Sequence, residues 1–217
     1  MQEDLFAEPG SGPEQLPLAD GAVVLPAYAC EVADQLLAAI DSVVAQAPLR
    51  RMVTPGGQTM SAQMSNCGAL GWVTDRAGYR YQATDPVSGR PWPAMPVAIA
   101  RLATQAAALA GFADFSPDAC LINRYQPGAR MGLHQDKDEQ DLSQPIVSVS
   151  LGLPMVFQFG GLKRNERPHR VPLNHGDVVV WGGPSRLRYH GVLTLKPGTH
   201  PVTGDCRYNL TLRRAGR

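Results

Sequence analysis

Hydrophobic residues recur along this chain at two different periods. From Glu31 to Ala47 the apolar positions Val32, Leu36, Ala39, Ile40, Val43 and Val44 fall at helical spacing, and Pro48 stops the run. That spacing predicts one helix. A second is predicted from Pro96 to about Ala110, closed by Gly111. After it the period shortens to that of strands: Ala119–Tyr125, Ile146–Leu151, Met155–Phe159, Arg170–Leu173, Val178–Trp181, Tyr189–Gly191 and Cys206–Arg213. Turn signals such as Gln126-Pro127-Gly128 and Gly182-Gly183-Pro184 separate them. Gly21–Leu25 adds a short strand near the start, and the polar residues 1–20 read as a mobile lead-in. Between the helices, Arg50 to Pro93 is rich in glycine and reads as short strands and long connections, the composition of a binding loop or lid.

These elements predict an α+β, mainly β fold: a double-stranded β-helix, the cupin-like jelly roll, over about 118–214. Two helices in the N-terminal half brace it, and a substrate-binding lid covers about 50–93, all within one domain over 21–217. Composition agrees. With 217 residues, 44% of them hydrophobic and 18% charged, the chain supports one sizeable core and is not disordered. The 22 Gly and 19 Pro favour many turns and hence a β-rich architecture.

The net charge of +1 conceals an asymmetry. Residues 1–50 carry one basic and eight acidic side chains, which leaves 19 Lys+Arg against 11 Asp+Glu in the rest. A basic main body permits a polyanionic partner without demanding one. Cys30, Cys67, Cys120 and Cys206 form no C-x-x-C pair, so neither a disulfide scaffold nor a structural zinc site is expected. No signal peptide and no membrane span are visible, and a cytoplasmic monomer is expected.

The chemistry centres on Leu133-His134-Gln135-Asp136-Lys137-Asp138. Side chains two apart on a strand share a face, so His134 and Asp136 pair, and His190 supplies a second imidazole. Two His and one carboxylate make the facial triad of non-haem Fe(II) oxygenases, although a surface histidine beside an acidic loop would look the same. His175-Gly176-Asp177 is a second His-x-Asp, but it directly precedes the apolar run Val178-Val179-Val180 and reads as a turn. In the last strand, alternation puts Arg207, Asn209, Thr211 and Arg213 on one face. Turned inward, that face requires an anion such as a small dicarboxylic acid; turned outward, it is an exposed edge. Asn123 and Tyr125 share a face too and could reach the same ligand.

Together these residues resemble the AlkB family of Fe(II)/2-oxoglutarate-dependent nucleic-acid dealkylases, and the likeness runs from about Ala22 to Arg213. It is carried by Asn123-Arg124-Tyr125, the His134–Asp138 run, His190 and Arg207 with Arg213. It extends to Met52-Val53-Thr54-Pro55-Gly56-Gly57, Ile146–Gly152 and Phe157-Gln158-Phe159-Gly160-Gly161. The resemblance implies His134, Asp136 and His190 as iron ligands. It implies Arg207, Asn123 and Tyr125 around the distal carboxylate of 2-oxoglutarate, with Arg213 at the near carboxylate and Asn209 lining the pocket. Met64, Trp72, Tyr79, Asp138 and Arg164 match positions facing the damaged base or its strand. Gln58 and Arg188 depart from the pattern: the bacterial relatives carry a tyrosine at the first position and an aromatic at the second.

The implied activity is oxidative demethylation of 1-methyladenine and 3-methylcytosine in single- or double-stranded DNA, and in RNA as a further candidate. Fe(II) is the metal, with 2-oxoglutarate and O2 as co-substrates and succinate and formaldehyde as products. Independently of the resemblance, Trp72 and Tyr79 could stack on a base or merely close the core. Lys163-Arg164-x-x-Arg167 with His169-Arg170 suits phosphates or a solvated turn. The rival functions are a dioxygenase of the same fold acting on protein or small molecules, and a non-catalytic nucleic-acid-binding module.

Overall fold

The structure, a computed structural model, describes residues 12–216. The described residues form, in order, β1 (Leu16–Ala19), β2 (Ala22–Leu25), α1 (Ala33–Gln46), β3 (Gln63–Gly68), β4 (Gly71–Asp75), β5 (Gly78–Gln82) and α2 (Val97–Leu109). They continue with β6 (Ala119–Tyr125), β7 (Met131–His134), β8 (Ile146–Gly152), β9 (Met155–Phe159), β10 (His169–Leu173), β11 (Val178–Trp181), β12 (His190–Val192) and β13 (Arg207–Arg213).

Two sheets form the body. The larger has the order β1-β2-β11-β8-β13-β6-β3, and the smaller β10-β9-β12-β7. The hairpin β4-β5 stands apart as a two-stranded ribbon. Period-two alternation divides the large sheet into two unlike faces. Val147, Val149 and Leu151 of β8, Ile122 of β6, and Leu210 and Leu212 of β13 pack against the helices. The helices present Leu36, Ile40 and Val43 from α1 and Ile99, Leu102 and Ala106 from α2 to that layer. Each such fully buried Val, Leu or Ile side chain contributes roughly 1.5–3 kcal/mol. Both predicted helices therefore brace a sheet.

The opposite face looks toward the small sheet, across a layer containing Phe157, Phe159, Trp181 and Val192. Here β13 turns its polar residues inward. Asn209 lies between Ser150 of β8 and Asn123 of β6, and Thr211 between Ser148 and Leu121. The inward placement of the arginine face is thus settled: Arg207 and Arg213 are buried.

Three expectations need correction. Leu16–Ala19, expected as part of a mobile lead-in, forms β1 and pairs with β2; residues 1–11 of that lead-in lie outside the described residues. The segment 50–93 is not wholly a lid, because β3 within it completes the edge of the large sheet beside β6. Finally, β7 ends at His134, so Asp136 lies beyond the strand rather than on its face.

The reading of His175-Gly176-Asp177 as a turn holds. The Asp177 carboxylate accepts the backbone N–H of Ala27 at 2.8 Å and of Asn174 at 2.7 Å, which fastens the turn ahead of β11.

Candidate active site and metal centre

His134 closes β7 and His190 opens β12, and the antiparallel pairing of these strands sets the two residues directly opposite. Their rings lie 4.5 Å apart between centroids. Each Nδ1–H donates to a backbone carbonyl, His134 to Gly132 at 2.9 Å and His190 to Arg188 at 3.0 Å. Such bonds fix the tautomer and leave Nε2 with its lone pair free. The two Nε2 atoms approach the Asp136 carboxylate at 3.6 and 3.7 Å. All three ligand atoms lie within 4.8 Å of one another, and these residues are the one such group among the described residues. Two convergent imidazole nitrogens and one carboxylate oxygen are the donor set of a facial Fe(II) site.

Asp136 reaches this position from beyond the strand because two arginines hold it. Arg186 Nη1 donates to its backbone carbonyl at 2.7 Å, and Arg213 Nε donates to its carboxylate at 2.9 Å. Burial works to raise the Asp136 pKa, but Arg213 and then His190 outweigh it and keep the group well below the usual carboxylate range. Burial, followed by the nearby charge of His190, lowers His134 to about 4. At neutral pH His134 is therefore a neutral imidazole beside an ionised Asp136 carboxylate, the protonation states a metal requires of them.

Glu139 joins the network from the loop. Its Oε1 accepts from Tyr81 Oη at 2.8 Å and pairs with Arg213 Nε at 3.2 Å, while its Oε2 lies 3.0 Å from Arg186. Glu139, Arg186 and Tyr81 were not singled out in the sequence. Tyr81 had a signal, since it shares a strand face with Tyr79; Glu139 and Arg186 lie outside the strands, where no periodicity marks them.

An inner cavity of about 60 Å³ extends from the triad between the sheets. Asn123, Tyr125, Arg207, Asn209 and Arg213, all expected around the co-substrate, line it. Arg207 is 1% exposed, donates Nη2–H to Ser150 Oγ at 2.8 Å and lies over the Tyr125 ring at 5.6 Å. Its Nε and Nη1 have no partner, and Asn123 Oδ1 is also unpaired. Burial lowers the Arg207 guanidinium to about 10 and raises the Tyr125 phenol to about 12. A buried cation with two free N–H edges is costly until an anion meets it, and a carboxylate fits that fork. The residues thus fit both Fe(II) and a dicarboxylate.

The outer cleft, about 510 Å³, shares His134 and Arg213 with the inner cavity. Met64, Trp72, Tyr79, Asp138 and Arg164, the five expected at the substrate, all line it, as does Gln58. Trp72 and Tyr79 stack at 5.6 Å with planes 18° apart. Trp72 Nε1–H donates to Asp138 Oδ2 at 2.9 Å, and Arg164 lies 5.8 Å from the Tyr189 ring centroid. Met64 is fully buried and forms floor rather than rim.

A family model described as the 2OG-Fe(II) oxygenase superfamily matches residues 21–213. The chain is 61% identical over 214 residues to the Alpha-ketoglutarate-dependent dioxygenase AlkB of Escherichia coli (strain K12), covering 99% of this chain and 98% of that one. It is 37% identical over 138 residues to the Nucleic acid dioxygenase ALKBH1 of Mus musculus, covering 63% of this chain and 34% of that protein. The solved structure of OsALKBH1 superposes with a TM-score of 0.79 at 28% identity, covering 93% of this chain and 100% of its own. Fold, donor set and family agree that this is an enzyme using Fe(II), 2-oxoglutarate and O2. The chain belongs to the 2OG-Fe(II) oxygenase superfamily and, within it, to the AlkB family.

Proposed function

We propose that this enzyme repairs DNA, and acts also on RNA, by oxidatively removing N-linked methyl groups from bases such as 1-methyladenine and 3-methylcytosine. One observation carries the reading: the cleft that ends at the triad is walled by the stacked Trp72 and Tyr79, with Asp138 and Arg164 at its sides. Aromatic faces take a base by stacking, Arg164 suits a phosphate and Asp138 can accept from an exocyclic amino group. The names of the relatives, a nucleic acid dioxygenase among them, support the same substrate class.

His134, Asp136 and His190 would hold Fe(II) through two Nε2 atoms and one carboxylate oxygen. Arg207, with Asn123 and Tyr125, would bind the distal carboxylate of 2-oxoglutarate, and Arg213 the carboxylate nearer the metal. When bound, Fe(II) with 2-oxoglutarate and oxygen supplies the oxidation of the N-methyl carbon, with succinate, carbon dioxide and finally formaldehyde as products. Arg213 keeps Asp136 ionised, and Arg213 and Arg186 together hold it in place. Trp72 and Tyr79 hold a base that has left its stack, since a base within a duplex cannot reach a metal buried between sheets. The proposed working form is a cytoplasmic monomer.

The test loads the protein anaerobically with Fe(II) and 2-oxoglutarate, then admits air with methylated or unmethylated single-stranded oligonucleotides. Loss of a methyl mass with release of formaldehyde, absent in His134→Ala, is the expected result. Succinate without demethylation would move the search to protein or small-molecule substrates. Bound iron with no succinate would leave a nucleic-acid-binding module.

A further inference from the structure

Arg188 lies two residues before His190, outside β12, whose pairing with β9 begins at His190 opposite Phe159. Its guanidinium uses two edges at once. Nε–H donates to Ser185 Oγ at 3.1 Å and Nη1–H to the carbonyl of Gly160 at 2.9 Å, while the group lies over the Phe159 ring at 5.6 Å. Ser185 in turn donates to the Asp20 carbonyl at 2.6 Å. The Gly160 N–H donates to the Tyr189 carbonyl at 2.7 Å. A Cβ on Gly160 would sit 3.0 Å from that same oxygen, so the two segments are in close contact. The turn after Gly160 carries Arg164, which stands against the Tyr189 ring. The carbonyl of Arg188 is the acceptor for His190 Nδ1–H.

We propose that Arg188 is a positioning residue that sets the ring of His190 and the hairpin carrying Arg164 together. Its planar fork joins the β9–β10 turn to the backbone before β12, so the carbonyl that orients His190 cannot swing without breaking both side-chain bonds. Lysine lacks that fork and can replace only part of it. The proposal rests on His190 being a metal ligand, and it deepens that reading.

The test titrates metal-free protein with Co(II) and, separately, measures KM and kcat on a methylated single-stranded oligonucleotide. Arg188→Met is expected to weaken Co(II) binding about tenfold, the lower end of the effect of removing a group that orients a metal ligand. It should also raise KM more than it lowers kcat. Arg188→Lys should fall between the two, and Arg101→Met, on an exposed face of α2, should match the wild type. Co(II) affinity and KM both within about twofold of wild type in Arg188→Met would overturn the proposal. If that variant does not fold, Arg188→Lys carries the comparison, and its identity with wild type would overturn it equally. Wild-type Co(II) binding that survives His190→Ala would instead remove the metal-site reading beneath it.

Discussion

Arg207 is the side chain whose surroundings make least sense without a ligand: it is buried, and two of its donors are unpaired. Arg207→Met removes the cation while keeping most of the volume. The metal-free variant should show an unchanged or raised Tm, because exchanging a buried ion for a hydrophobe of similar volume is neutral or stabilising. Its 2-oxoglutarate binding should weaken by about 2–5 kcal/mol, measured by isothermal titration. Glu139 should behave in the opposite way. Glu139→Ala leaves Arg213 and Arg186 short of an anion and should cost about 3–5 kcal/mol in urea unfolding. An unchanged midpoint would show that Asp136 alone balances both arginines. The sequence disclosed the first residue and hid the second for a physical reason. Arg207 sits on a strand whose alternation assigns its face, whereas Glu139 sits in a loop, where only the folded chain brings Tyr81, Arg186 and Arg213 to it.

At the scale of elements, the hairpin β4-β5 is fastened to the site by two side-chain bonds, Trp72 to Asp138 and Tyr81 to Glu139. The surface proposed to meet the base is therefore linked to the carboxylates beside the candidate metal site. Trp72→Ala should raise KM for a methylated oligonucleotide by about 1–3 kcal/mol through lost stacking, with Co(II) affinity unchanged. A fall in Co(II) affinity would mean that the hairpin helps to shape the metal site. The helices and the long strands were legible because each repeats its period several times. Two short strands were not. Leu16-Pro17-Leu18-Ala19 contains a proline, which sheets tolerate at an edge, and β1 is the edge strand. β7 lacks the apolar run that marks β2 and β11, and Asp136 completes the site from beyond its end under the hold of Arg186 and Arg213.

For the whole molecule, metal binding and charge make the measurable differences. A metal that binds only the folded state stabilises by about 2.7 kcal/mol at a concentration of 100 Kd. Co(II) should therefore raise Tm by roughly 5–10 °C for a chain of this size, a shift reversed by chelator and absent in His134→Ala. The basic main body predicts oligonucleotide affinity that falls steeply with added salt, and a flat salt response would point to an uncharged substrate. No helix among the described residues is long and apolar enough to cross a membrane. The dual membership of β3 bears on how such enzymes can recombine. Its six residues are the outer strand of the large sheet and also the stem from which the β4-β5 hairpin grows. A chimaera that exchanged residues 50–93 would replace that strand as well and set a foreign edge beside β6, which carries Asn123 and Tyr125. One that cuts after Gly68 and rejoins before α2 keeps the sheet closed. Gly68 must stay at the junction, because its φ of +116° and the Asp118 carbonyl in the way of any added Cβ admit no other residue. The β4-β5 part of the proposed recognition surface is thus exchangeable between relatives as a cassette of about 69–95, a shorter piece than the glycine-rich stretch suggests, while Met64, Asp138 and Arg164 stay with the body.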